Sequence, residues 1–297
     1  MNTVVFGANG LVGSALMRYL SDAVGTFHNA KDNLIEGRCY EWLDITNKEN
    51  VEKFFTEHKP KRVFIACANP NVDECEKDVT DKVNLFGISR LISESALYDA
   101  QVIFFSSSYV FEGTSQVPYK PRDETFPVNR YGRQKEMIER EILKKENLQY
   151  LIIRTVGVFG KEGSPKNFVD QVRRAVKENR KICVPSDQTM NPVWSNDLAR
   201  VSVHLANRYG GEIFHVAGNK CVSKYEWAVS IAYKLGCKKP HELIVGVKTE
   251  DMHQLANRPK NGCLDCKNLE AVALTVPSLD KGLEKYLGVK NDKRRNP

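Results

Sequence analysis

Short runs of β-branched and aromatic residues recur along the chain at positions 4–6, 24–27, 63–66, 102–105 and 150–153. Their length and composition suit strands buried on both faces. Between them lie longer charged segments, as at 48–58 and 131–146, whose apolar residues return with the spacing of an amphipathic helix. Strand and helix in alternation predict a parallel sheet covered by helices on both sides. Beyond residue 153 the rhythm loosens. Gly157, Gly160, Gly163 and Pro165 mark a loop, and a basic helix is expected over 167–177. A helix over 196–207 and a strand at 213–216 lead back to the sheet, and residues 223–287 read as a smaller mixed lobe.

The first strand runs directly into Gly7-Ala8-Asn9-Gly10-Leu11-Val12-Gly13, followed by a helix. Glycines here let the backbone turn tightly and approach a pyrophosphate, while free N–H groups at the helix start meet its charge. A glycine set alone says little; its place between the opening strand and helix gives it weight. The expected fold is therefore an α/β Rossmann-type doubly wound parallel sheet with a smaller mixed α/β substrate lobe. Residues 1–155 and 188–218 form the dinucleotide-binding domain, 156–187 and 219–288 the substrate lobe, and 289–297 a basic tail. The second strand ends Thr26-Phe27-His28-Asn29, without the acidic residue that grips a ribose diol, and Lys31 follows. That favours a 2′-phosphate beside His28, hence NADP(H), with NAD(H) left open through Asp32.

The 297 residues carry 44 Lys+Arg against 37 Asp+Glu, 41% hydrophobic residues and a mean hydropathy of −0.43, with no apolar run that would span a membrane. Much of the net charge of +7 sits in Lys290, Lys293, Arg294 and Arg295. The remaining body is only mildly basic, which suits a small anionic ligand and argues against a nucleic-acid partner. Met1 leads straight into the first strand, so no signal peptide is expected and a cytoplasmic location is. Eight cysteines lie scattered, several within apolar runs, and are expected to be free buried thiols. Cys263 and Cys266 have zinc spacing but neither a second pair nor a close histidine, so no metal is expected.

Ser106-Ser107-Ser108 falls at the end of the fourth expected strand, where open α/β sheets place ligands. Tyr131 and Lys135 lie one helical turn apart on the same face. A free phenol titrates near ~10, and a cation one turn away is expected to pull that value down. His215 reads as a satisfied strand histidine, not a base.

The glycine turn, Leu43-Asp44-Ile45-Thr46, Ser106 to Gly113, Tyr131 with Lys135, Arg154-Thr155, Asp187-Gln188 and Arg258-Pro259-Lys260-Asn261 resemble, in this order, the extended short-chain dehydrogenase/reductases. Among them the chain is similar to the dTDP-4-dehydrorhamnose reductase family over nearly its whole length. The resemblance implies an NADP(H)-dependent reductase of a nucleotide-linked 4-keto-6-deoxy sugar, as in rhamnose biosynthesis. Ser107, Tyr131 and Lys135 would be its catalytic set, with Tyr131 donating the proton. The cofactor would lie against Gly7, Asn9, Gly10, Leu11, Val12 and Gly13, with His28, Asp44 and Ile45 near its adenosine. Ala66, Cys67, Ala68, Asn84, Ser106, Tyr131 and Thr155 would complete that cleft, with Lys135 holding the nicotinamide ribose. The substrate would meet Ser107, Ser108, Tyr109, Asn167 and Arg258.

Three departures bear on the substrate. Gly157 stands where the family pattern has an aromatic ring, Gly262 replaces the serine that usually follows Asn261, and Ala15 replaces an acid that shares a metal in some members. Ser108-Tyr109 replaces the Asp-Glu of the superfamily's dehydratases, which argues against elimination chemistry. A nucleotide-sugar epimerase remains an alternative. So does an NADP-binding regulatory module resembling the methionine adenosyltransferase β subunit, and with it a homodimer or a regulated partner enzyme.

Overall fold

The computed structural model describes residues 2–29, 32–161 and 166–289. Expectations for Lys31, Gly163, Pro165 and nearly all of the basic tail fall outside these residues. Strands β1 (Thr3–Phe6), β2 (Ala23–Phe27), β3 (Cys39–Trp42), β4 (Arg62–Ile65), β5 (Gln101–Ser107) and β6 (Tyr150–Thr155) lie in one sheet. A seventh strand, β11, which follows four short strands outside the sheet, spans Glu212–His215. The order is β11-β6-β5-β4-β1-β2-β3, with every pairing parallel. Chain direction across the sheet reverses between β1 and β4, and ligands of doubly wound sheets bind at that crevice.

Alternation along the strands divides the core. Val5, Phe64, Ile103 and Leu151 pack on one face with helices α1 (Leu11–Tyr19) and α7 (Ser195–Ala206). Val4, Phe6, Val63, Val102 and Phe104 pack on the other. There they meet α2 (Lys48–His58), α4 (Ile88–Leu97) and α5 (Arg130–Lys144), the short α3 (Val72–Cys75) lying between α2 and α4 in the chain. Each fully buried aliphatic or aromatic side chain of this kind stabilises the fold by about 1.5–3 kcal/mol.

A third core cluster surrounds Trp227, between α6 (Phe168–Lys177) and α8 (Lys224–Lys234). Its short strands pair across long sequence gaps: β7 (Val158–Phe159) with β10 (Val193–Trp194), β8 (Ile182–Pro185) with β13 (Ile244–Val247), and β9 (Thr189–Met190) antiparallel to β12 (Val222–Ser223).

Three expectations need correction. Strand β3 was not anticipated: Cys-Tyr-Glu-Trp has no clear apolar alternation, and the strand is an edge, largely exposed. Nor are the cysteines uniformly free and buried. Cys221 and Cys263 form a disulfide, and Cys39 and Cys183 are exposed. The pair is 42 residues apart in sequence and is joined only because β9 lies between the two segments that carry it. A third, smaller correction concerns strand length: β5 runs to Ser107, because its ladder with β6 continues through Ser106↔Arg154 and Ser107↔Thr155.

Candidate active site

The turn after β1 is shaped by close backbone approach. Gly7 has φ +80, and a Cβ there would sit 2.7 Å from the Cys67 backbone; a Cβ on Gly13 would strike the Gly7 carbonyl. Only glycine allows both. Helix α1 starts at Leu11 with Gly10 as its cap, no side-chain cap bond and no acidic residue in its first turn. Its positive end is therefore open to an anion. Leu11 and Val12 are half-buried in that first turn.

A cavity of about 460 Å³ extends from this turn across the sheet's switch point, lined by Gly7, Asn9, Gly10, His28, Asp44, Ile45, Ala66, Cys67 and Ala68. Partial burial opposes ionisation of Asp44, but the Thr46 N–H and O–H, at 2.8 and 2.7 Å, and nearby His28 hold its carboxyl below the usual range. His28 Nε2 lies 3.9 Å from that carboxylate. Asn84 is behind the cavity wall. Its amide donates to Gln134 at 2.8 Å and accepts from the Asn69 N–H, so it orders the loop after β4.

Ser107, at the tip of β5, accepts a hydrogen bond from the Tyr109 N–H at 3.2 Å, and its hydroxyl is close enough to the Tyr131 phenol to act on its pKa. Tyr131 is in the first turn of α5, whose cap Asn129 accepts from Gly132 N–H and donates to the Asn257 carbonyl, each at 2.8 Å. One turn on, the buried Lys135 ammonium donates to the Phe105 carbonyl at 2.9 Å and lies 5.8 Å from the centre of the Tyr131 ring. Burial lowers its pKa to about 8, against the raising influence of Cys67, Glu139 and Cys75.

The expected lowering of the Tyr131 pKa is not found. Desolvation raises it well above the ordinary phenol value, aided by Cys75 and Tyr109 and opposed only by the Ser107 hydrogen bond. Lys135 spends its nearest hydrogen bond on a backbone carbonyl, so burial outweighs the cation. At neutral pH the phenol holds its proton.

Sequence reasoning missed the support beneath this set. Arg154, at the end of β6, meets Glu139 of α5 through Nε–Oε1 at 2.9 Å and Nη2–Oε2 at 2.6 Å, both side chains almost wholly buried. This charge-paired fork fixes α5 against the sheet one turn beyond Lys135. His215 is buried, with Nδ1 3.2 Å from the Asp265 carbonyl, and desolvation lowers its pKa to about 3. It is neutral and has no role as a base.

A larger cleft, about 1030 Å³, opens beyond Tyr109. Its walls come from the Gly113 loop, Asp187 and Thr189, residues 249–254, and a strip carrying Arg258, Asn261 and Cys263. Arg258 is held by Asp73 at 3.0 Å, and its charge reaches Tyr109 and Lys224. Burial, together with Arg258, lowers the Lys224 ammonium to about 8. Tyr131 stands edge-on to Tyr109, ring centres 5.9 Å apart, and Ser107, Tyr131 and Lys135 line neither cavity.

The structure thus brings together Ser107, Tyr109, Tyr131, Lys135 and, farther along, Arg258. Ser106, Ser108 and Thr155 are buried beside them with hydroxyls that have no partner. Asn167 lines neither cavity; it caps α6 and reaches the Gly160 carbonyl and Asp170. No helix among the described residues is long and apolar enough to cross a membrane.

The sequence profile of the RmlD substrate binding domain family matches residues 1–290. The dTDP-4-dehydrorhamnose reductase of Aggregatibacter actinomycetemcomitans is 31% identical over 93% of this chain and 94% of that protein. Methionine adenosyltransferase 2 subunit beta of Rattus norvegicus is 28% identical over 91% of this chain and 82% of its own length. The crystal structure of dTDP-4-dehydrorhamnose reductase from Bacillus anthracis in complex with NADP superposes with a TM-score of 0.82 at 28% identity, covering 97% of this chain and 99% of that one. With the family profile matching residues 1–290 and a relative 31% identical over nearly the whole chain, the chain belongs to the RmlD substrate binding domain family of short-chain dehydrogenase/reductases.

Proposed function

We propose that the protein is an NADP(H)-dependent reductase of a nucleotide-linked 4-keto-6-deoxy sugar. The observation that carries this reading is Ser107 beside the Tyr131 phenol and the buried Lys135 ammonium, at the tip of β5. The uncapped, acid-free start of α1 fits a dinucleotide pyrophosphate, and the absence of an acid after β2, with His28 there instead, fits a 2′-phosphate. The NADP complex of the Bacillus anthracis relative supports the same cofactor.

When bound, the reduced nicotinamide supplies hydride to the C4 carbonyl carbon. Ser107 and Tyr131 donate hydrogen bonds to the carbonyl oxygen and stabilise the charge that develops there. Tyr131, protonated at neutral pH, then passes its phenolic proton to that oxygen, whose alkoxide form is the stronger base. Lys135 balances the phenolate left behind. Its ammonium is buried and fixed by the Phe105 carbonyl, so little reorganisation is needed.

NADPH oxidation against dTDP-, UDP- and GDP-linked 4-keto-6-deoxy sugars tests the reading. Turnover with at least one sugar is expected, together with tighter binding of NADPH than of NADH. Tight NADPH binding with silence across the panel would replace this reading with the regulatory one, for which the rat relative stands.

A further inference from the structure

Cys221 and Cys263 both line the larger cleft. Cys221 is exposed, whereas Cys263 is 3% exposed and set into the strip that forms one wall. That strip is tied closely to the active site. Asn261 N–H donates to the Gly113 carbonyl at 2.9 Å, and its side-chain amide donates to the Ser115 and Val117 carbonyls at 2.9 and 3.0 Å. Tyr119 N–H donates to the Cys263 carbonyl at 2.9 Å. Gly262 packs so near Ser108 that a Cβ on it would be 3.3 Å from the hydroxyl.

Cys221 belongs to the opposite wall. It leads into β12 and then Lys224, the first residue of α8. The disulfide therefore sets the separation between the wall carrying Lys224 and the strip carrying Arg258. These are two cations whose mutual repulsion is already felt in the Lys224 ammonium. Noncovalent ties between the walls run through β9: Thr189 pairs with Ser223 on one side and bridges Asn261 on the other. Those pairs, with Asn191 beside β9 donating to the Gly218 and Leu264 carbonyls at 2.8 Å each, are connections left if the covalent one opens.

We propose that the Cys221–Cys263 pair is a thiol–disulfide exchange site that sets the opening of the larger cleft and hence its affinity for an anionic ligand. Exchange begins at the exposed sulfur. A thiolate of a small dithiol attacks Cys221 Sγ, the S–S bond breaks, and Cys263 leaves as a thiolate that takes up a proton. The second thiol of the reductant then attacks the mixed disulfide. Cys221 is released and protonated, and the reductant ends as a cyclic disulfide. Two thiols of the protein are reduced and two of the dithiol oxidised; a low-molecular-weight disulfide such as oxidised glutathione reverses the step. In the closed form Arg258, which lines the cleft, is held in register with Lys224 behind its wall. In the open form they drift apart and their repulsion relaxes.

Naming a nucleoside diphosphate as the occupant rests on the proposed function; the exchange site itself does not. The full-length protein, purified without reductant, is expected to show six titratable thiols in guanidinium, and eight after dithiothreitol. Reduction is expected to speed amide exchange at residues 113–118 and 258–263 and to weaken dTDP binding about tenfold, leaving NADPH affinity unchanged. Cys221→Ser is expected to hold both readouts at their reduced values whatever the redox state. Eight thiols before reduction, or identical amide exchange in both forms, would overturn the exchange site. Redox-dependent amide exchange with no dTDP binding in either form would leave the site standing and refute the nucleotide-sugar reading instead.

Discussion

The two cavities are built in opposite ways. The smaller rests on the ends of neighbouring strands in one continuous sheet, so its shape follows from strand register and one glycine turn. The larger is assembled from the Gly113 loop, Asp187, Thr189 and residues 249–263, segments far apart in sequence and joined by two-residue strand pairs, side-chain amides and a disulfide. A register-built site resists local change, whereas a tie-built site can be retuned one bond at a time. Substitutions in the Ser107, Tyr131 and Lys135 cluster should therefore abolish chemistry, those under the sheet should cost stability, and those in the second lobe should act on substrate alone.

The largest effect is expected in that cluster. Tyr131→Phe removes the proton donor but keeps the ring against Tyr109, and turnover should fall by about 100- to 10,000-fold. NADPH affinity, measured by fluorescence titration, should stay nearly constant, because the smaller cavity is not lined by this residue. Retained turnover would break the assignment of the acid.

Next comes the support beneath it. Glu139→Gln leaves the Arg154 guanidinium buried with half its partner, and stability in urea unfolding should drop by about 3–5 kcal/mol. The conservative Glu139→Asp should lose less. If both variants unfold like the parent, α5 is held by packing alone.

How far the sequence showed these features follows the same division. Alternating apolar runs predicted the central strands, because a buried parallel sheet demands continuous β-branched runs, and the glycine turn stood out because backbone approach excludes a Cβ. The exposed edge strand at Cys39–Trp42 imposes no such demand and was silent. Tyr131 and Lys135 were legible as a helical pair, but the direction of the phenol shift was not, since burial and the competing Phe105 carbonyl arise only in three dimensions. Arg154 with Glu139, and Cys221 with Cys263, share no local spacing; each meets its partner through tertiary register.

A pH profile sharpens the reading of the Ser107, Tyr131 and Lys135 cluster further. Lys135 in the folded protein titrates at about 8, below its ordinary value of 10.5, so its charge disappears as pH rises through 8. The value of kcat/KM for the free enzyme should fall about tenfold per pH unit above that point. Stability should move the other way. The unfolded chain binds more protons between pH 8 and 10.5, so the penalty for burying the ammonium is full below 8 and is relieved across that interval. His215, neutral with a pKa near 3, should contribute nothing to either limb.

The smallest expected effect lies in the second lobe, at Gly157. Its φ of +57 is left-handed, and a Cβ would meet Met190 Sδ at 3.1 Å and Pro192 at 3.2 Å. Alanine must bear the left-handed strain, about 1–2 kcal/mol, and Met190 must also give way. The flexible Met190 thioether can yield, but the Pro192 backbone cannot move as easily, so Gly157→Ala should lower Tm by a few degrees without unfolding the protein. An aromatic ring, which the reductase pattern places here, is excluded by the same backbone unless the 156–160 turn is rebuilt. Because Met190 pairs with Val222 next to the disulfide-bearing wall, any displacement should appear in the KM for the sugar nucleotide, not in kcat or in NADPH affinity. An unchanged KM with lowered Tm would show that Gly157 serves the fold alone and that the lost aromatic ring left no mark on the cleft.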